Sequence, residues 1–331
     1  MRTKGISIKA VEEIESQSYR LSMLQSLPLD VKILWAKQRI QEFLQHTNNK
    51  AYISFSGGID STVLLDLVRQ VDTSIPAVFS NTGLEFPEIV EFVKTFENTI
   101  EIKPKMNFKQ VIEKWGYPVI SKEVSRKVST LKRGDKDSNV YKYYDTGVKS
   151  NGEKSIGKLP NKYRRLIQAP FNCSDYCCNV LKKSPFAIFE KQSRLSPIVG
   201  VRAEESRLRT QQYHKTRCNH FTEKKNRSWP LAIWTNQDVL TYLHNNNLPY
   251  CSVYGQLKQN INKTYYFTGE QSTGCIFCLF GIHLEKGENR MQRMHRTHPK
   301  LHDYCINKLN LKQVLDFIGI KYEQQERGLF E

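Results

Sequence analysis

Three things are scarce in this 331-residue chain, and each scarcity narrows the field. No run of about 18 apolar residues occurs, so no segment reads as a membrane-spanning helix and no membrane partner is expected. The first twenty residues, MRTKGISIKAVEEIESQSYR, lack the apolar stretch of a secretory signal. Acidic side chains are few: 33 Asp and Glu stand against 50 Lys and Arg, a formal net charge of +17. A cytoplasmic location is therefore expected. There the eight cysteines stay reduced, as metal ligands, catalytic groups or plain core residues rather than disulfides. No internal repeat is visible, and the common phosphate loop G-x-x-x-x-G-K-S/T is absent.

What is present suffices for a folded core: 39% of residues are hydrophobic and 11% aromatic, which excludes a disordered polyelectrolyte. The basic excess favours polyanionic partners, nucleic acid above all. Residues 1–28 are polar and peripheral. From Asp30, the spacing of Val31, Leu34, Trp35, Ile40, Phe43 and Leu44 predicts an amphipathic helix. Ala51–Phe55 reads as a buried strand, Ser61–Val71 as a helix, and Ile75–Phe79 as a second strand. A helix should start at Pro87, and Ser196–Val201 resumes the sheet. Thr235 and Asp238 form a capping-box pair opening another helix. This rhythm predicts an α/β fold with a doubly wound parallel sheet and a Cys-rich helical C-terminal region.

Residues 121–170 differ in character. Thirteen Lys/Arg oppose five Asp/Glu, so this segment alone carries +8. Tyr141, Tyr143, Tyr144 and Tyr163 interleave with the charge. The segment reads as a mobile or loop-rich insertion suited to phosphates and bases. The expected organisation is an N-terminal helical segment (1–48), a nucleotide-binding domain (49–235) interrupted by this insertion, and a helical Cys/His/Arg-rich region (236–331).

The sharpest local signal is Ser56-Gly57-Gly58-Ile59-Asp60-Ser61, between a strand and a helix. Paired glycines allow a tight turn, and the helix N-terminus favours an anion such as pyrophosphate. Ser56 and Ser61 add hydroxyls, and Asp60 can hold Mg2+. These residues resemble the SGGxDS signature of the PP-loop ATP pyrophosphatase superfamily, an adenine nucleotide alpha-hydrolase-like fold. The resemblance implies ATP binding and attack at its α-phosphate.

Two further segments resemble the phosphoadenosine phosphosulfate (PAPS) reductase branch. They are Asn81-Thr82-Gly83-Leu84-Glu85-Phe86-Pro87-Glu88 and Gly200-Val201-Arg202-Ala203-Glu204-Glu205-Ser206-Arg207-Leu208-Arg209. The resemblance extends nucleotide binding to Gly83, Glu85, Arg202 and Glu205. It makes Asp60, Arg202 and Arg209 candidates for catalysis, with the arginines as anion clamps.

Cys177-Cys178 and the later Cys275-Ile276-Phe277-Cys278 together offer four thiolates, a set that suits zinc or an iron–sulfur cluster. A CC pair with a distant CxxC resembles the pattern of adenylyl-sulfate reductases and related sulfur-transfer proteins, which implies a 4Fe–4S cluster. Cys173 can replace one of the adjacent pair; Cys218, Cys251 and Cys305 are read as core. Arg290, Arg293, His295, Arg296 and His298 form a further candidate anion contact.

One element of the reductase pattern is missing. Where E-C-G-x-H carries the nucleophilic cysteine, this sequence has Glu326-Arg327-Gly328. Arginine is no nucleophile at ordinary pH. The expectation is therefore an ATP-dependent enzyme that adenylylates a nucleic acid, DNA rather than RNA, and accepts sulfur from a donor such as a cysteine desulfurase. PAPS or adenylyl-sulfate reduction is the alternative, with Cys305 as replacement nucleophile. A non-catalytic nucleotide- or nucleic-acid-binding module is the third.

Overall fold

A computed structural model describes residues 8–223 and 225–323, with side chains from residue 17 onward. The Glu326-Arg327-Gly328 segment lies outside the described residues. The chain divides into two compact units, each discontinuous in sequence: residues 1–81, 86–102 and 186–273 form one, and 82–85, 103–185 and 274–331 the other. The 235/236 boundary thus falls inside the first unit.

The first unit is built on a six-stranded sheet ordered β3-β2-β1-β5-β7-β6. Its strands are β1 (Ala51–Ser54), β2 (Ala77–Ser80), β3 (Thr99–Ile102), β5 (Ser196–Val199), β6 (Asn219–His220) and β7 (Arg227–Ser228). All pairings are parallel except β6 with β7. In the centre, Ala51 pairs with Ser196 and Ser54 with Val199. Buried runs on β1 and β2 fit parallel strands covered on both faces.

The covering helices are α1 (Ile8–Gln25), α2 (Leu29–His46), α3 (Ile59–Arg69), α4 (Pro87–Lys94), α8 (Ser184–Ser193), α9 (Arg207–Thr216) and α10 (Asn236–Asn245). Helix α8 begins two residues before the unit does. A small antiparallel pair, β8 (Leu257–Gln259) and β9 (Tyr265–Phe267), follows. The parallel α/β architecture expected from the sequence is present.

Helix α2 forms as its periodicity predicts, and it buries Ile40, Phe43 and Leu44. Val31 and Leu34 point outward instead, 38% and 69% exposed. In their place Lys32 is buried, its ammonium on Asp238 Oδ2 at 2.6 Å and on the Gln25 carbonyl. A buried ammonium is tolerated only when paired and hydrogen-bonded. Asp238 also accepts from the Thr235 N–H and hydroxyl, so one carboxylate caps α10 and anchors α2.

The second unit contains α5 (Phe108–Trp115), β4 (Val119–Ile120), α6 (Lys122–Arg133), α7 (Asn139–Thr146), β10 (Leu279–Phe280), α11 (Arg290–Thr297), α12 (Pro299–Asp303) and α13 (Leu311–Ile318). Strands β4 and β10 pair in parallel. The basic segment is not a loop-rich insertion. Ser121 caps α6, and Val124, Val128 and Leu131 on it are buried. The i, i+4 and i+7 spacing of these residues is helical, but lysines and arginines around them hide it.

Five of that segment's thirteen cations are in ion pairs, Lys142 with Asp137 among them. Lys127 pairs with Glu123, Arg126 with Asp175, Lys149 with Glu153 and Arg164 with Asp145. Lys132 donates to the Ala169 and Phe171 carbonyls. Val128→Ala should therefore cost about 2 kcal/mol of stability. Lys136→Ala, on an exposed position, should stay within about 0.5 kcal/mol. Chemical denaturation of both variants checks this; equal midpoints would contradict a packed α6.

Candidate functional site

The nucleotide turn grows directly out of β1. Buried Tyr52, Ile53 and Phe55 hold the strand, and the chain then turns through Ser56–Gly58 into α3. Gly57 sits at φ +70°, and a Cβ there would come within 2.9 Å of Val93 Cγ2. Glycine is required on both counts. Gly58 is the N-cap of α3 and offers no side chain of its own to cap it. The first-turn N–H groups of a helix have no intrahelical acceptors and favour an anion.

Hydroxyls brace the turn. Ser61 Oγ donates to the Gly58 carbonyl at 2.8 Å, the Ser56 N–H donates to Ser61 Oγ at 3.2 Å, and the two hydroxyls lie 3.0 Å apart. Tyr254 and Thr273 also stand beside Gly58, with their hydroxyls 2.8 Å from each other. Burial pushes the Tyr254 phenol up to about 12, so it remains a neutral hydrogen-bonding group. Sequence reasoning missed this pair. The residues around Tyr254 carry no pattern that singles out its hydroxyl, and nothing local marks that of Thr273.

Asp60 and Arg202 are brought together. Arg202 Nε donates to Asp60 Oδ1 at 2.6 Å, and Nη1 donates to Glu204 Oε2 at 2.8 Å. The Arg202 N–H donates to Glu205 Oε1 at 2.7 Å, so Glu205 fixes the backbone that carries the guanidinium. Gly200 permits the approach, since a Cβ there would lie 2.9 Å from the Asp60 carbonyl oxygen. Burial raises the Asp60 carboxyl above its ordinary value, and the opposing pull of Arg202 does not fully offset it. Arg202 is thus engaged by two carboxylates rather than held ready as an open clamp. Arg209 stands apart from that pair, with Nε 4.0 Å from Glu205 Oε2 and its guanidinium 5.8 Å over the Trp229 ring.

Gly83 and Glu85 belong to the second unit. Gly83 adopts φ +72°, and Glu85 closes its own turn by accepting from the Thr82 N–H and hydroxyl at 2.9 and 2.7 Å.

The same unit gathers the cysteines. Cys177 and Cys178 lead into a π-helical turn over Cys178–Lys183. Cys275 and Cys278 lie on a tight turn tied by the Cys278 N–H to the Cys275 carbonyl at 3.1 Å. All four line one small cavity, walled by Leu84, Phe108, Pro118 and Leu181, with Lys182 at its side. The donor set and its dry surround fit a sulfur-ligated metal or cluster. Among the described residues, no three His, Cys, Asp or Glu side chains form a group that could hold a metal ion as placed.

Electrostatics couple the thiols. The hydrogen bond with Cys178 is the largest influence raising Cys177, followed by burial and the charges of the other three cysteines. The same bond holds Cys178 below the ordinary thiol range, with help from Lys122 and Lys182. Burial raises Cys275 and pushes Cys278 up to about 11. For Lys182, burial pulls downward, but Cys275, Glu85 and Cys178 hold the ammonium above its usual range.

The remaining cysteines are core residues. Cys173, Cys218, Cys251 and Cys305 are all buried, and Cys173 does not line the four-thiol cavity. Cys305 is fully enclosed, and burial pushes its thiol up to about 12. That argues against it as a replacement nucleophile. The arginines after the CxxC are paired internally: Arg290 and Arg293 share Glu285, and Arg296 contacts Glu288. His295 packs against His302 with ring centroids 4.7 Å apart and the planes inclined by 59°.

In metal-free reduced protein, iodoacetamide should therefore alkylate Cys178 first, at a pH below that needed for an ordinary thiol. Mass spectrometry after a pH series checks this. Cys305 labelling ahead of Cys178 would contradict the geometry.

Comparison with known proteins agrees with these features. Residues 50–279 match the model of the phosphoadenosine phosphosulfate reductase domain, in overlapping segments 50–144 and 122–279. An uncharacterized protein of Methanocaldococcus jannaschii is 24% identical over 85% of this chain, a match that spans 53% of that protein's length. Adenosine 5'-phosphosulfate reductase of Lysinibacillus sphaericus is 26% identical, over 71% of this chain and 75% of the reductase. Phosphoadenosine 5'-phosphosulfate reductase of Vibrio cholerae is 22% identical over 73% and 75%. With a glycine turn at the head of α3, a mostly parallel sheet, and a family model covering more than half its length, the chain belongs to the phosphoadenosine phosphosulfate reductase domain family and has the PP-loop fold.

Proposed function

We propose that this protein is an ATP-dependent sulfur-transfer enzyme acting on nucleic acid. The observation that carries the proposal is the convergence of Cys177, Cys178, Cys275 and Cys278 on one apolar cavity flanked by Lys182. The donor set suits zinc or an iron–sulfur cluster, and the resemblance of CC with a distant CxxC to adenylyl-sulfate reductases tips the reading to 4Fe–4S. When bound, such a cluster supplies electrons or a sulfur-binding iron. The four thiols would ligate it, and Lys182 and Lys122 would offset the negative charge of the sulfur set.

The nucleotide turn does the adenylyl chemistry. First-turn N–H groups of α3, with Ser56 and Ser61, hold the terminal phosphates of ATP, and Asp60 carries Mg2+. A target oxygen of the nucleic acid forms a bond to the α-phosphorus as the bond to pyrophosphate breaks, and its proton passes to solvent. The outer sulfur of a persulfide, delivered by a donor such as a cysteine desulfurase, then bonds to the activated nucleic-acid atom as that atom's bond to the AMP oxygen breaks, and a dithiol reductant such as thioredoxin cleaves the resulting S–S bond, becoming a disulfide and returning the donor's thiol. The arrangement of Glu204 and Glu205 on Arg202 presets Asp60, which makes electrostatic preorganisation the main contribution of this chain. Arg209, beside Glu205, is the remaining candidate anion contact.

The reductase relatives favour a second reading, reduction of PAPS or adenylyl sulfate with a thiol donor such as thioredoxin. Against it stand Arg327 at the position of the reductase cysteine and the enclosed Cys305. Pyrophosphate release from ATP, measured with and without added DNA or RNA, separates the two. The proposal expects release only with nucleic acid, and at least about a tenfold loss in Asp60→Asn. Sulfite release from an adenylyl sulfate, indifferent to nucleic acid, would overturn it.

A further inference from the structure

A separate cavity lies away from the Ser56–Ser61 turn. It belongs wholly to the first unit and has a volume of about 670 Å³. Its floor includes Ser196 and Pro197, the first residues of β5. The nucleotide turn instead follows the carboxyl end of β1, where Ser54 pairs with Val199. The two therefore sit at opposite ends of the parallel strands, roughly 10 Å or more apart at ~3.3 Å per residue.

Five cations from three elements line the cavity: Lys191 and Arg194 at the end of α8, Arg217 after α9, and Lys225 and Arg227 around the β6–β7 hairpin. Two acids oppose them, Glu190 and Glu223. Glu190 is itself occupied, accepting from the Tyr52 hydroxyl at 3.0 Å. None of the five cations forms an ion pair among the described residues. Elsewhere the candidate anion-binding arginines are spoken for: Arg202 by Asp60 and Glu204, Arg290 and Arg293 by Glu285, Arg296 by Glu288.

Arg217 adds two oddities. Its backbone is held at φ +57°, unusual for a side-chain-bearing residue, and its Nη1 is buried without a hydrogen-bond partner. Five cations against two acids leave the empty cavity with a net positive charge, and a bound polyanion relieves their mutual repulsion. Lys191, Arg194, Lys225 and Arg227 are exposed, which suits an extended ligand lying along the cleft rather than an enclosed small molecule.

We infer that this cleft binds the phosphodiester backbone of single-stranded nucleic acid, as a sequence-independent anchoring site separate from the nucleotide turn. The inference rests on the nucleic-acid reading above and relocates its main contact. The basic 121–170 segment, which carries a net charge of +8, belongs to the other unit and is the competing contact that the control variant tests. Backbone anchoring of this kind positions the strand and carries no sequence information.

The test uses the full chain and a fluorescently labelled single-stranded oligonucleotide, read by anisotropy over a salt series. The variant Lys191→Gln/Arg194→Gln/Lys225→Gln/Arg227→Gln should bind at least about tenfold more weakly at ~0.1 M salt. Its log–log salt slope should be shallower by about 3, from roughly 0.7 per lost phosphate contact. Calorimetric ATP binding and the thermal midpoint should not change, because no substituted residue touches the turn. A control, Lys136→Gln/Lys154→Gln/Lys162→Gln, should retain near-native affinity.

Native affinity and slope in the cleft variant, with the control weakened instead, would overturn the inference and leave the nucleic-acid reading standing. Absence of oligonucleotide binding by the unaltered protein would overturn both. AMP competing as well as an oligonucleotide of equal phosphate concentration would make the cleft a small-anion site, which also overturns it.

Discussion

Four sulfur atoms from two distant chain segments share one apolar cavity, and the second unit is organised around that constraint. A thiolate in such surroundings is costly unless cations or a metal compensate. The local structure meets the cost in stages. Cys177 stays protonated and donates to Cys178; Lys182 and Lys122 stand by the thiolate; the Leu84 carbonyl pins the CxxC turn through the Ile276 N–H at 2.8 Å. The pairing of β4 with β10 then holds the turn against the chain that precedes α6.

The first unit solves a different problem with similar economy. Its glycine turn places a helix N-terminus at the carboxyl end of the central strand, the usual location for a ligand in a parallel α/β sheet. Around it, Arg202 serves the protein before it can serve a ligand. By fixing Asp60, and by being fixed through Glu204 and Glu205, it turns a flexible carboxylate into a preset one. An arginine read from sequence as an anion clamp is, in the ligand-free chain, an organiser of the metal-binding candidate.

Legibility in the sequence followed locality. The Ser56–Ser61 turn and the Thr235–Asp238 capping box each depend on residues within a few positions of one another, and each formed as expected. Features that depend on remote partners were opaque. Nothing near Lys32 announces that Asp238 will bury it, and nothing near Asp60 announces Arg202. Helix α6 was hidden because its three buried apolar residues sit in a strongly basic run. The division into units was hidden because residues 103–185 fold with residues from 274 onward. The cationic cleft was hidden because its five charges come from three separate elements, and net charge alone does not distinguish paired from unpaired cations.

The central claim is that the four-thiol cavity is built for an iron–sulfur cluster. Iron and acid-labile sulfide analysis of anaerobically purified protein, alongside its visible absorption, tests it most directly. The account predicts about four irons and four sulfides per chain, with broad charge-transfer absorption, both lost in Cys178→Ser. One zinc per chain with no sulfide, or metal content unchanged by Cys178→Ser, would contradict it.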